Sequence, residues 1–211
     1  MTSNEFAKAV RRNPLLVLVV GAVEGHGPHL PLGADVLQPM ALARFLARKR
    51  RALVLPPLCY GSCWETRHLA GTISLEAATL RKVAQDILED LYRNGARKVL
   101  VLSGHGGGPH MMALREGAQR VAVRHPNLRA AVLCDYNFAY ELLGKDGFPQ
   151  RDGHAGYIET SRLLAVAPRL VKGHRRVRPD WPDFGRFEIV SAPEERWRSG
   201  VMGDPRRANA L

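Results

Sequence analysis

Four short runs of apolar residues punctuate the chain: LLVLVV at 15–20, ALVLPP at 52–57, KVLVLSG at 98–104 and AAVLCDY at 130–136. They are apolar without alternation, which suits strands covered on both faces, as in a parallel sheet. Between them apolar positions recur at helical spacing. The clearest segment is 74–95, where Leu80, Val83, Ala84, Ile87, Leu88 and Leu91 form one stripe, Ser74 is available as N-cap and Asn94-Gly95 as the stop. Residues 36–50 and 109–124 carry the same period less cleanly. Strands alternating with helices predict an α/β fold, a parallel βαβ sheet with helices on both faces. From about residue 170 onward Pro, Arg and Trp rise and periodicity fades, which predicts an irregular or small β segment. No repeat or linker divides the chain, so residues 1–211 are expected to form a single domain that includes this C-terminal segment.

Composition narrows the class. At 211 residues and 45% hydrophobic content the chain is long enough for one sizeable core. No apolar stretch approaches the roughly 18 to 20 residues of a membrane span, and the N-terminus lacks the charged-then-apolar order of a secretory signal. A cytoplasmic protein with no membrane partner is the expectation. The three cysteines are an odd number without a zinc-type pair, so reduced thiols are expected. A net charge of +11 invites a nucleic-acid reading. Its distribution argues against one: the run at 47–52 closes a predicted helix, the run at 169–179 lies in the aperiodic tail, and neither is interleaved with aromatics on which bases stack.

The polar residues with chemical capacity cluster past the strands. GAVEGHGPHLPLGAD puts Glu24, His26, His29 and Asp35 directly after the first run; GHGGG puts His105 after the third; DGHAGYIETS offers His154 and Glu159 beyond the fourth. In a parallel α/β sheet, ligand sites form beyond the carboxyl ends of the strands. Glu24 and His26, two apart in an extended segment, point to one side. Each residue also has a plainer role: Asp35 as a helix cap, His105 and His154 as turn residues, Glu159 on a polar helix face. Their convergence on one edge of the sheet favours a site for Zn²⁺, Mn²⁺ or Fe²⁺.

Five ordered stretches, VEGHGPHLPLGAD, PPLCYGSCWETRHLAGTISL, SGHGGG, DGHAGYIETS and GVMGDPRRANA, resemble the successive motifs of the creatininase family. The resemblance implies a three-layer α/β sandwich around a mainly parallel sheet and a homo-oligomer, often a hexamer. It also implies a metal-dependent amidohydrolase with two divalent ions per chain, cleaving C–N bonds outside ordinary peptides in a small amide, formamide or short peptide. Carried over residue by residue, Glu24 and His105 resemble ligands of one metal, His26 a ligand of the other, and Asp35 the carboxylate bridging both. The family's creatininase proper adds a Glu two residues past the loop histidine; Gly107 stands there, and Glu159 resembles the replacement ligand of the glycine-rich-loop members. His154 matches the histidine that assists proton transfer. His29 is expected to orient Glu24 or Asp35, and Glu65 to line the pocket. Ser103 and Gly108 replace the asparagines that usually brace the loop. The alternatives are a non-catalytic metal- or ligand-binding homologue, against which the intact ligand set argues, and a basic nucleic-acid-binding protein.

Overall fold

The computed structural model describes residues 1–49, 52–147, 149, 151–182, 194 and 197–210. In chain order the elements are α1 (Ser3–Val10), β1 (Leu15–Val20), α2 (Ala34–Lys49), β2 (Ala52–Val54), α3 (Ala77–Arg93), β3 (Lys98–Ser103), α4 (Gly108–Arg124), β4 (Arg129–Cys134), α5 (Tyr136–Gly147) and α6 (Tyr157–Val166). The four strands form one parallel sheet in the order β2-β1-β3-β4. The architecture is a creatininase-like α/β sandwich.

Alternation along β1 explains how uniformly apolar strands serve two layers. Leu16, Leu18 and Val20 point to the face covered by α3 and α4, where they join Leu80, Leu88 and Leu114. Val17 and Val19 point to the opposite face and pack with Ala43 of α2. Val20, Ser103 and Cys134 align in register, so β1, β3 and β4 release their chains at one edge.

The expected elements differ from the observed ones in instructive ways. β2 stops at Val54 because Pro56 and Pro57 have no N–H to extend the ladder, although Leu55 and Leu58 still donate to β1 carbonyls. α3 begins at Ala77 with Glu76 at the N-cap; Ser74 instead accepts a hydrogen bond from the Cys63 N–H at 2.9 Å. Its stop is as expected, with Asn94 as C-cap and Gly95 left-handed at φ +96°. Two helices went unread. α1 is closed by a reciprocal Thr2–Glu5 capping box, and α5 is interrupted at Gly144, whose φ is +65°. The C-terminal part is irregular where described, with short 3₁₀ turns at Pro168–Leu170, His174–Arg176 and Pro205–Arg207. Residues 183–193, 195–196 and 211 of that expectation, and 50–51 of the first basic run, lie outside the described residues. Among the described residues no helix is long and apolar enough to cross a membrane.

Two glycines seat α2 on the sheet. A Cβ on Gly21, just past β1, would lie 2.5 Å from the Asp35 carbonyl oxygen, and one on Gly104, just past β3, would lie 2.0 Å from the same atom. Gly104→Ala is therefore expected to lower stability by about 1–3 kcal/mol through overpacking. Gly33→Ala, where a Cβ meets nothing within 4 Å, is the control with little effect. Urea denaturation of the two variants decides it; matching midpoints would show that the contact at Gly104 relaxes without cost.

Candidate metal centre

The loop after β1 folds back on itself: Glu24 N–H donates to the Leu32 carbonyl at 2.9 Å, and Gly27 takes a left-handed φ of +61° that lets the chain reverse. This returns the chain to β1 and β3, and α2 begins there with Asp35 in its first turn. Asp35 does not act as the helix cap. Its Oδ1 lies 3.1 Å from His26 Nε2 and its Oδ2 lies 3.3 Å from His105 Nδ1, one oxygen toward each histidine. Glu24 Oε2 is 2.9 Å from His105 Nδ1, and Glu159 Oε2 is 3.6 Å from His26 Nε2. The structure thus gathers Glu24, His26, Asp35, His105 and Glu159, all buried, from four separate segments.

The histidine tautomers follow from their outer partners. His26 Nδ1–H donates to the Glu24 carbonyl (3.1 Å) and His105 Nε2–H to the Ser62 carbonyl (3.1 Å). Because a carbonyl only accepts, each ring turns its other nitrogen, with its lone pair, toward the carboxylates. His26 Nε2, Glu24 Oε2 and Asp35 Oδ2 are buried without a hydrogen-bond partner. Among the described residues no Lys or Arg pairs with Glu24, Asp35 or Glu159. Buried anions facing lone pairs require protons or a cation between them. With protons alone, burial would lower the His26 pKa, but Asp35 and then Glu159 hold it at about 10. Burial disfavours the Asp35 anion, yet His26 and His105 keep its pKa well below the carboxylate range. Burial lifts Glu159 to about 7. Imidazole nitrogens and carboxylate oxygens held this way fit a divalent cation. The donor atoms of His26, Asp35 and Glu159 all lie within 4.8 Å of one another.

Outer contacts hold the set rigid. Ser62 N–H donates to His110 Nδ1 (3.2 Å), His110 Nε2–H to Ser103 Oγ (3.0 Å), Ser103 Oγ–H to the His105 carbonyl (2.7 Å), and His105 returns to Ser62. This closed circuit braces the glycine loop through Ser103, one of the two residues that replace the family's usual asparagines. Burial, then the neighbouring His105, lowers the His110 pKa to about 3, so it stays neutral and keeps both roles. The Thr66 hydroxyl donates to Glu24 Oε1. On the other side, Asp152 accepts from Tyr136 Oη and from the N–H groups of Tyr157 and Ile158, fixing the start of α6. Arg162 pairs with buried Asp135, the residue after β4, so Glu159 is carried to the centre in register.

The remaining expected residues sort as follows. His154 lies beside the centre, its ring centroid 4.1 Å from that of His26, with Nε2–H donating to the Gly25 carbonyl at 2.7 Å. Burial, then His26, lowers its pKa to about 4. His29 has a different partner from the one expected: its Nε2 is hydrogen-bonded to Thr160 at 3.0 Å, so it ties the β1 loop to α6 and reaches neither Glu24 nor Asp35. Glu65 is exposed and lines a cavity of about 1050 Å³ over the centre. Thr66, Ser62 and His110 were not singled out as contacts of the site, because each acts across the fold, over 42 to 48 positions.

Comparison with known proteins gives the family and the fold. A family model described as "Creatininase: Creatinine amidohydrolase" matches residues 1–211. The creatinine amidohydrolase of Pseudomonas putida is 35% identical over 207 residues, covering 90% of this chain and 78% of its own. The mycofactocin precursor peptide peptidase of Mycolicibacterium smegmatis is 29% identical over 212 residues, covering 93% and 77%. Among solved structures, a manganese form of creatininase superposes with a TM-score of 0.86 at 30% identity, over 99% of this chain and 88% of that one. A Zn–Zn form of a creatininase mutant gives 0.85 at 31% identity, over 99% and 87%.

Removing the hydroxyl that orients Glu24, in Thr66→Val, is expected to weaken metal affinity roughly 10- to 100-fold. Competition against a chelator of known affinity measures it. An unchanged affinity would show that Glu24 is held by the backbone of its loop alone.

Proposed function

Since the chain belongs to the creatininase family of metal-dependent hydrolases, which act on C–N bonds other than ordinary peptide bonds, we propose that it cleaves an amide or formamide with two divalent ions per chain. The observation that carries this reading is Asp35, whose two oxygens face two different histidines. Glu24, Asp35 and His105 would hold one ion; His26, Asp35 and Glu159 the other. Zn²⁺ and Mn²⁺ are the first ions to test, because relatives are known in those forms. When bound, such a pair lowers the pKa of water and polarises a carbonyl.

The chain's own residues supply the rest. The glycine loop and the carboxylates exclude bulk water from one side, leaving the cavity as the entry for substrate. His154 is held by Gly25 through Nε2, so Nδ1 is the position free to carry a proton. A neutral imidazole takes the proton that the attacking water loses and delivers it to the leaving nitrogen, whose anion would be a poor leaving group. Trp197 stands edge-on to His154 at 5.3 Å and anchors its own Nε1–H on the Val201 carbonyl, limiting the ring's movement. Gly107 argues against creatinine itself as substrate. A Cβ there would lie 2.5 Å from His105 Nε2, so the acidic ligand carried at that position by creatininase proper has no room, and Glu159 takes over. Assembly as a homo-oligomer, such as a hexamer, is what the family resemblance implies, and three free cysteines suit the reducing cytoplasm.

Elemental analysis tests the arrangement. The wild type is expected to carry about two ions per chain, Asp35→Ala none and Glu159→Gln about one. His154→Ala is expected to keep both while turnover falls roughly 10²- to 10⁴-fold. Metal loss in His154→Ala would make it a ligand and refute the division of roles.

The sign of the pH effect follows from His26. Its metal-free pKa of about 10 means that near neutrality a proton occupies the nitrogen the metal needs, so binding expels it. Affinity should rise with pH below about 10, with acid uncovered when Zn²⁺ is added to weakly buffered protein. A pH-independent affinity between pH 6 and 8 would contradict this ligand assignment.

A further inference from the structure

The cavity extends well beyond what the centre requires. Its volume of about 1050 Å³ lies at the upper end of the roughly 300–1,000 Å³ occupied by drug-sized ligands. One wall is a single face of α4: Gly108, Met112, Arg115 and Gln119 recur at three- or four-residue spacing and line it in that order. The groove therefore runs along the helix from the glycine loop outward. Gly108 to Arg115 spans about 10 Å at the usual helical rise.

The chemistry changes along that path. Met112 is 70% exposed, an unpartnered apolar side chain beside the groove. Beyond it stands Arg115, the only Lys or Arg lining the cavity among the described residues, and it makes no ion pair with them. The acid next to it is already committed: Glu116 lies 3.2 Å from Arg81 and 2.6 Å from Arg120. Glu65, the acid on the wall without an ion-pair partner, adjoins Thr66 at the centre's end, so a negative group is favoured at Arg115 and not there.

We propose that the substrate is an elongated, peptide-like amide whose carboxylate pairs with Arg115, about 10 Å or two to three residue lengths from the carbonyl that is attacked. Its intervening chain lies over Met112, and Arg115 selects it against compact cyclic amides. This deepens the hydrolytic reading of the centre and rests on it.

Octanedioic monohydroxamate and its uncharged monoamide test the proposal on the zinc-loaded full chain. The hydroxamate, a chelator, seats both probes at the centre, and the eight-carbon chain brings the far group to the distance of Arg115. Calorimetry should find the acid bound about three- to tenfold more tightly than the amide, as one partly exposed ion pair allows. Arg115→Met should abolish the preference and leave amide binding unchanged, while Arg115→Glu should reverse it. Succinic monohydroxamate, too short to reach, should show no preference over its own amide. Equal affinities of the long probes for the wild type, or a preference that survives Arg115→Met, would overturn the subsite while the centre stands. Binding of neither long probe would remove the metal-centre reading and this proposal with it.

Discussion

The contact on which the centre depends is the one between the backbone of Asp35 and the two glycines that end β1 and β3. Neighbouring parallel strands lie about 4.8 Å apart, so a helix that starts over both ends can present one side chain to the loops that leave each. Gly21 and Gly104 permit this because neither carries a Cβ where the Asp35 carbonyl lies. The Asp35 carboxylate then has His26 on one side and His105 on the other, and the separation of the two histidines is set by the sheet. A side chain on a mobile loop could not be held that way, since loops relax around a bridging group where a strand pair does not.

That rigidity is needed because the arrangement is unfavourable by itself. Glu24, Asp35 and Glu159 are buried, at 1%, 1% and 7% exposure, without a Lys or Arg among the described residues to neutralise them. Burying a charge is costly unless it is paired, and here the surrounding hydrogen bonds commit the histidine protons outward, to the carbonyls of Glu24 and Ser62. The fold spends stability on a cluster that a divalent cation relieves. The circuit through Ser62, His110 and Ser103 prevents the simplest escape, a ring flip of His105 that would turn a protonated nitrogen inward.

What could be read in the sequence was what local spacing encodes. The strands announce themselves as apolar runs, α3 by its stripe, and the site by His and acidic residues placed past strand ends. α1 was missed because its eight residues make little more than two turns and none of them is buried, and Ser74 was misassigned as a cap because its hydroxyl serves a partner eleven residues back. His29 shows the limit most clearly: proximity to Glu24 in the chain suggested a carboxylate partner, whereas the ring spans 131 positions to Thr160. Thr66 and His110 are likewise defined by partners 42 and 48 positions away. No periodicity encodes such pairs, since only the packed sheet brings them together.

The proposed supply of a ligand from α6 instead of the loop bears on the shape of the site. With glycine at 106, 107 and 108, the chain past His105 projects no side chain into the cavity, and a Cβ on Gly108 would meet nothing within 4 Å. A side chain at 107 would be driven against the His105 ring, whose Nε2 lies 2.5 Å from the Cβ position. Glu159, the acid proposed in its place, stands on a helix fixed from the far side by Asp152 and by the Arg162–Asp135 pair. Under the proposed ligand set, the acid comes from α6 and the glycine loop adds no side chain to the groove that continues along α4.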